Sequence, residues 1–451
     1  MLGRLLQPEI RDLIEARDYR QLREVLVDLS VADVADILPE ILEKDRAVVF
    51  RMLPRDHATE VFEHLEPDDQ EELLESLRDE EVATYLNDMS PDDRTGLLEE
   101  MPDRVTRRVM RLLSSEERQI SEALLAYPES SVGRLVTPDY IKVKRHLSVG
   151  DCLQFVRRVG EDKETVDYIY IVDEWNRPMG VVSLRELVFA HGDRTVGELI
   201  SAEDQTVTIR ADLDQEEAVQ VLKHYDIKAL PVVDSRDHLV GIVTFDDLMD
   251  VQEEEATEDM QLMSGVVPTE ATYASTRFLS LLKNRLGALV MLGVMAIFAG
   301  RVLQTYEEAF ETEFANLVLF IIALMAVSGN TGSQVGTLLI RALAVDEMDR
   351  QDVRFVVWRE TLMGLTLGVA LGSVVGYAGY LMFGVTIPEA TIAGASLAAA
   401  VTLCNMVGVL LPLLLHSLKQ DPAFFATPLI TTISDFLALF IFFEVARFAL
   451  T

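Results

Sequence analysis

One carboxylate, Asp435, lies about midway along residues 424–448, the last apolar run of the chain. At about 1.5 Å of rise per residue, a helix on that run carries the acid roughly 16 Å inward, close to the middle of a bilayer. An ionisable side chain at that depth is costly and marks a functional position by default. Thr427 and Thr431 precede it at i−8 and i−4, so three oxygen-bearing side chains share one helix face. A row of hydroxyls ending in a carboxylate suits a hard cation travelling with its water. The alternative is an acid paired structurally with a neighbouring helix.

A second acidic feature lies in the middle of the chain. No Lys or Arg occurs between Arg236 and Arg277, while Asp246, Asp247, Asp250, Glu253, Glu254, Glu255, Glu258 and Asp259 all do. On a helix, Asp247, Asp250, Glu254 and Glu258 form one stripe of like charge, which repels itself. Divalent cations would neutralise such a stripe, and hard oxygen ligands suit Mg2+ or Ca2+. A solvated acidic linker is the competing reading. An acid-rich surface adapted to salt would also account for scattered acids, given 8 Lys against 32 Arg.

The elements that must position these groups fall into two halves of different composition. Residues 276–451 carry 13 acidic and 10 basic side chains, whereas residues 1–275 carry 62 and 30. Five apolar runs in the second half, about 286–304, 314–344, 355–385, 391–416 and 424–448, are each long enough to span a bilayer. The second contains Ser328-Gly329-Asn330-Thr331-Gly332-Ser333-Gln334, which reads as a polar interruption at membrane depth. Irregular backbone is tolerated there only against protein or a wet cavity. Asn330, Gln334, Thr402 and Asn405 add polar groups that, with Asp435, suggest a path between helices.

Loop charges set the expected orientation. Arg277, Lys283 and Arg285 precede the first span; Arg341, Arg350, Arg354 and Arg359 surround the second connection; Lys419 lies in the fourth. The loop at 305–313 instead carries Glu307, Glu308, Glu311 and Glu313. The positive-inside rule then puts the large N-terminal half in the cytoplasm and the C-terminus outside. The charged start, MLGRLLQPEIRDLIEARDYR, lacks an apolar core, so no cleavable signal peptide is expected.

The first half holds two repeats. Leu29, Ile41, Leu53, Leu65, Leu77, Met89, Met101, Leu113 and Leu125 recur every twelve residues, and parallel series flank them. Breakers such as Pro54, Pro67, Pro91 and Pro102 separate the units, which read as a stack of short helices. Asp56, Asp68, Asp69, Asp92 and Asp93 follow the breakers and fit N-caps and first turns. Further on, IYIVDEWNRPMGVVSLREL at 169–187 matches LPVVDSRDHLVGIVTFDDL at 230–248, each a strand, turn, strand and helix start. This pair resembles tandem CBS repeats. The resemblance implies adenine nucleotide binding, ATP included, at Thr244 with Asp247 and at Ser183 with Glu186.

Over its whole length the chain resembles the MgtE family of magnesium channels. The segments DQEEAVQVLKHYD, VGIVTFDDL, EEEATED, SGNTGSQ, NMVGVLLP and DPAFFATPLITTISD carry the likeness. It implies a multidomain protein: an all-α, solenoid-like N domain at 1–130, an α/β CBS pair at 131–250, a connecting plug helix at 251–275 and a five-span α-helical membrane domain at 276–451. It implies a homodimer in a prokaryotic inner membrane, with Asp435 of each copy facing partly hydrated Mg2+. It further implies cytosolic Mg2+ sites holding the gate closed, drawn from Glu60, Asp92, Glu216, Asp226, Asp247, Asp250, Glu255, Glu258 and Asp259. The pore helix departs from the family pattern at Thr427, where Asn is found, and at Leu437-Ala438, which leaves the ranking of Mg2+ against Mn2+, Co2+ and Ca2+ open.

Other classes fit less well. With only Cys152 and Cys404, a disulfide or Cys-based metal site is not expected. A net charge of −35 opposes nucleic-acid partners. An intramembrane metalloprotease needs paired His on a membrane helix, and His416 is the one His beyond residue 238, so no enzyme is expected. An intramembrane Asp without a Lys partner disfavours an anion channel. A carrier of Co2+ or Mn2+ and a non-conducting Mg2+ sensor remain as alternatives.

Overall fold

The computed structural model describes residues 2–16, 18–200, 206–269, 276, 278–306, 316–344, 347–348, 352–418, 420–424 and 426–450. Glu307, Glu308, Glu311, Glu313, Arg277, Arg350, Lys419 and residues 270–275 of the expected plug helix lie outside them. The chain divides into two compact units, Met1–Glu253 and Glu254–Thr451.

In its later units the twelve-residue period becomes ten-residue helices, each closed by one buried side chain in extended backbone. Pro67–Ser76 ends on Leu77, Asp79–Asp88 on Met89, Pro91–Glu100 on Met101 and Asp103–Leu112 on Leu113. These closing residues share one core with Phe50, Phe62 and Leu86. Pro67 and Pro91 occupy the first helical positions, where a missing N–H does no harm. Of the two places expected for the acids, N-caps and first turns, they take the first turns, favoured by the helix dipole, while Glu66 and Ser90 occupy the cap positions.

The two later repeats are each a three-stranded sheet: β1 (Ile141–Lys144), β2 (Tyr168–Val172) and β3 (Pro178–Ser183), then β4 (Ile209–Arg210), β5 (Ala229–Val233) and β6 (Leu239–Thr244). In each, the first pair is parallel and the second antiparallel. The duplication holds at the level of register. Ile169 faces Val182 as Leu230 faces Val243, and both sheets slip at the same place, Ile171/Val172 and Val232/Val233. Asp173 and Asp234 build the intervening turns, each accepting two backbone N–H groups at 2.7–2.9 Å.

β6 leads directly into the connecting helix, Phe245–Met263, which starts earlier and ends sooner than the expected 251–275. Asp247 accepts the Thr244 backbone N–H at 3.2 Å and so caps the helix six residues upstream of the expected start. Gly265, at φ +74°, stops it, and Val266 N donates to Gln261 O at 2.9 Å.

Among the described residues, five helices are long and apolar enough to cross a membrane: Phe278–Thr305, Leu317–Ala344, Val353–Phe383, Ile387–Ser417 and Thr427–Ala449. The expected interruption of the second is absent, since Ile321–Ala344 runs as continuous helix through Ser328–Gln334. In lipid an open backbone is expensive, and the glycines there admit neighbours instead. A Cβ on Gly332 would lie 2.9 Å from Cys404 O on the fourth helix and 3.0 Å from Ser434 Oγ on the fifth. The third and fourth helices meet in the same manner, a Cβ on Gly394 falling 2.7 Å from Gly372 O.

Candidate ion path and acidic cluster

The Thr427–Thr431–Asp435 face forms as the spacing predicts. Thr431 Oγ1 donates to Thr427 O at 2.9 Å and shares a 2.9 Å hydrogen bond with Ser333 Oγ of the second helix. One turn away on that helix, Gly329 lets Asp435 approach; a Cβ there would lie 3.4 Å from Asp435 Oδ1. The turn Gly329–Ser333 thus lies against the turn Thr431–Asp435. Ser333 is a site residue missed in the sequence because its segment read as an interruption; the matching i,i+4 spacing on both helices was the available signal. Asp435 is half-buried and makes no ion pair among the described residues. Beside it in sequence, Ser434 Oγ is buried without a hydrogen-bond partner, as is Ser328 Oγ next to Gly329.

The remaining polar candidates divide. Asn405 is fully buried; its Nδ2 donates to Glu360 O on the third helix at 2.9 Å, while its Oδ1 is buried without a hydrogen-bond partner. Thr402 is satisfied within its own helix by Ala398 O at 2.7 Å. Asn330 and Gln334 are exposed, and with Thr337 and Arg341 they form a polar stripe on the outer side of the second helix.

In the first unit, carboxylates from three segments converge. Glu63, on the helix Arg55–Glu63, accepts Ser90 N at 2.9 Å, which ties it to the helix start carrying Asp92 and Asp93. Burial pushes the Glu63 carboxyl up to about 7, with Asp93 adding to the effect. Asp92 is raised well above the usual carboxylate range by burial and by Asp247, and its Oδ1 is buried without a partner. Asp247 is pushed up to about 6 by burial against its bond from Thr244. Glu164, from the first repeat, is pushed up to about 7 by burial, then by Asp247 and Asp93. Asp250 is raised by burial and by Asp246. Among the described residues no three of these carboxylates already converge as a direct ligand set. Asp92, Asp247 and Asp250 were legible beforehand; Glu63, Asp93, Asp246 and Glu164 join only through tertiary packing.

Other expected ligands fall elsewhere. Glu60 is exposed and acts on Glu63 only as a neighbouring charge. Glu216 lies in the first turn of Gln215–Tyr225 and Asp226 beyond its last turn at φ +52°, so the two are about 15 Å apart along one helix. In the second unit, Asp259 is raised by burial and by Asp421 and Glu255, against the lowering effect of Arg341, while Glu258 is exposed.

The expected nucleotide residues are both helix caps. Ser183 Oγ donates to Glu186 at 2.7 Å and accepts Glu186 N at 3.2 Å; Thr244 Oγ1 donates to Asp247. The second of these therefore lies within the acidic cluster.

Comparison with known proteins bears on the whole arrangement. A family described as a divalent cation transporter, MgtE, matches residues 321–445; the MgtE intracellular N domain matches 8–130, and CBS domains match 132–193 and 196–254. The magnesium transporter MgtE of Thermus thermophilus is 36% identical over 463 residues, covering 99% of this chain and 98% of its own. The chain belongs to the MgtE family. The Bacillus subtilis magnesium transporter MgtE is 30% identical, covering 97% of this chain and 96% of its own. A crystal structure of the cytosolic domain of the Mg2+ channel MgtE in complex with ATP aligns with TM-score 0.52 and 38% identity, over 55% of this chain and all of that one. The soluble part of another magnesium transporter aligns with the same TM-score at 26% identity, over 56% of this chain and 99% of that one.

Proposed function

We propose that the chain conducts Mg2+ into a prokaryotic cell as a homodimer in the inner membrane, with its N-terminal domains cytoplasmic, its C-terminus outside, and its path closed by cytosolic Mg2+. The observation that carries this reading is Asp435, without a cationic partner among the described residues, beside the Ser333–Thr431 hydroxyl pair. The stripe of Asn330, Gln334, Thr337 and Arg341 is exposed on the same second helix, and a polar stripe on a membrane helix belongs against protein or water. A second copy, placed by a two-fold axis, would cover it with its own stripe and bring two Asp435 side chains to one path. Mg2+ dehydrates reluctantly, so paired carboxylates can hold it through retained waters.

Regulation follows from the acidic clusters. Ions that bind the assembled cluster of Asp92, Asp247 and Asp250, and the further group of Glu255, Glu258 and Asp259, more tightly than its separated parts shift the equilibrium toward the closed state. Scarce Mg2+ leaves the acids mutually repelling and frees the connecting helix. The relative whose cytosolic domain was crystallised with ATP supports an adenine nucleotide as a second input to the CBS pair.

Proteoliposomes loaded with a Mg2+ indicator test the path. The parent should take up Mg2+, and Asp435→Ala, incorporated equally, should lose at least about tenfold of the flux. Undiminished flux in Asp435→Ala would remove the acid from the path. No flux from either protein would favour a non-conducting sensor, and preference for Co2+ or Mn2+ would reassign the cargo.

A further inference from the structure

The first membrane helix, Phe278–Thr305, runs 28 residues, about 42 Å, with Ala288 its one buried side chain among the described residues. Its packing is concentrated at the end far from the connecting helix. There Ala299, Val302 and Tyr306 are half-buried against a core that includes Leu439, Phe442 and Phe443 of the fifth helix. Tyr306 stacks on Phe443, with ring centroids 4.6 Å apart and planes 18° apart, and its hydroxyl donates to Glu444 Oε1. Arg447 Nη2 donates to the other carboxylate oxygen, Glu444 Oε2. A hydroxyl donating to a carboxylate makes a charge-assisted bond, roughly twice as strong as a neutral one.

The near end of the same helix is tied to the connecting helix. Just past Phe245–Met263, Val267 N donates to Asn284 O at 3.1 Å, and Thr269 N donates back to Gln261 Oε1 at 3.2 Å. The connecting helix also reaches the fifth directly, because Leu262 shares a core with Ile430 and Ala423. The fifth helix is therefore gripped twice. The connecting helix holds it at Ile430, and the first helix holds it at Glu444. Asp435 lies between the two grips, which are fourteen residues, about 21 Å, apart.

We propose that Tyr306 and Glu444 are positioning residues for the ion path, through which the first helix acts as a strut carrying displacement of the connecting helix to the far end of the fifth. The proposal rests on the Mg2+ regulation put forward above, which supplies the displacement. A helix whose turns are closed by its own backbone bonds, and which is held at its two ends, transmits motion as a rod. With both grips in place, the helix bearing Asp435 shifts as a whole. With the Glu444 grip released, only its Ile430 end follows the connecting helix.

Hydrogen exchange of the full-length protein in lipid nanodiscs, read by mass spectrometry with and without millimolar Mg2+, tests the strut. In the parent, Mg2+ should slow exchange both in residues 254–263 of the connecting helix and in residues 439–446. Tyr306→Phe keeps the ring stack and loses the bond, so it should retain the first response and weaken the second at least about threefold. Glu444→Leu breaks the same bond from the other side and should match it. Glu444→Gln, whose amide oxygen still accepts the hydroxyl, should behave as the parent. A brace with no transmitting role would instead raise exchange at 439–446 equally with and without Mg2+. That result, or a parent in which 254–263 responds and 439–446 does not, would overturn the inference. If neither segment responds in the parent, the Mg2+ regulation falls and the strut with it, while the flux test of Asp435 stands apart.

Discussion

Asp435 is positioned by close backbone approach and by hydroxyls, with no opposing charge among the described residues. Gly329 brings the second helix within reach, and Ser333 holds Thr431 one turn before the acid. A neutral hydrogen bond is worth about 0.5–1.5 kcal/mol, which corresponds to about two- to tenfold in a rate or binding constant. Ser333→Ala should therefore lower Mg2+ flux by about that factor and narrow its margin over Ca2+, while Ser333→Thr keeps both; parallel Mg2+ and Ca2+ uptake in proteoliposomes reads the ratio. An unchanged ratio in Ser333→Ala would make the hydroxyl pair incidental. The Thr427–Thr431–Asp435 face was legible because helical spacing is a local property. Ser333 was not, because two helices have to pack before its partner is known. The Asn405 contact was hidden for the same reason: an intramembrane amide looks alike in sequence whether or not it bonds Glu360 O.

At the scale of elements, the proposed Mg2+ site at the cluster of Glu63, Asp92, Glu164 and Asp247 would make pH and Mg2+ interchangeable. Glu63 and Glu164 have folded values of about 7 against an ordinary 4.5, so the assembled state binds more protons than the separated one between those limits. Its stability accordingly rises as pH falls from about 7 toward 5 and is lost as pH climbs through 7. Thermal unfolding of the full chain without divalent ions should show a higher Tm near pH 5.5 than near pH 7.5, and millimolar Mg2+ at the higher pH should restore the difference. Asp92→Asn/Asp247→Asn should flatten both dependences. A parent Tm indifferent to pH and Mg2+ alike would dissolve the coupling. The helical repeat and the CBS pair were readable down to register, since Ile169 and Leu230 sit in matching pairs sixty-one residues apart. The second membrane helix was misread because glycine breaks helices in water, yet in lipid the unbroken ladder is favoured and the glycines serve contact.

For the whole molecule, charge is concentrated in the first 275 residues, with 62 acidic against 30 basic side chains. Five spans were legible from length and hydropathy alone. The division into compact units was not: it falls at Glu253/Glu254, inside the connecting helix, where composition gives no sign of a boundary. In the proposed dimer, two copies meeting along the second helix would bring the two Asn330 side chains together. Asn330→Cys should form an oxidant-dependent species of twice the mass in native membranes, against a low background because Cys152 and Cys404 are both buried. Leu381→Cys, on the exposed outer part of the third helix, should stay at the single mass. A monomeric Asn330→Cys band under the same oxidant would place the two-fold contact elsewhere.

The backbone contacts of Gly368, Gly372 and Gly376 with Ala398, Gly394 and Ala390 have a mechanical consequence. Surfaces joined through side chains can slide by exchanging rotamers, but chains seated peptide against peptide have no such slack. The third and fourth helices are therefore expected to move as one body.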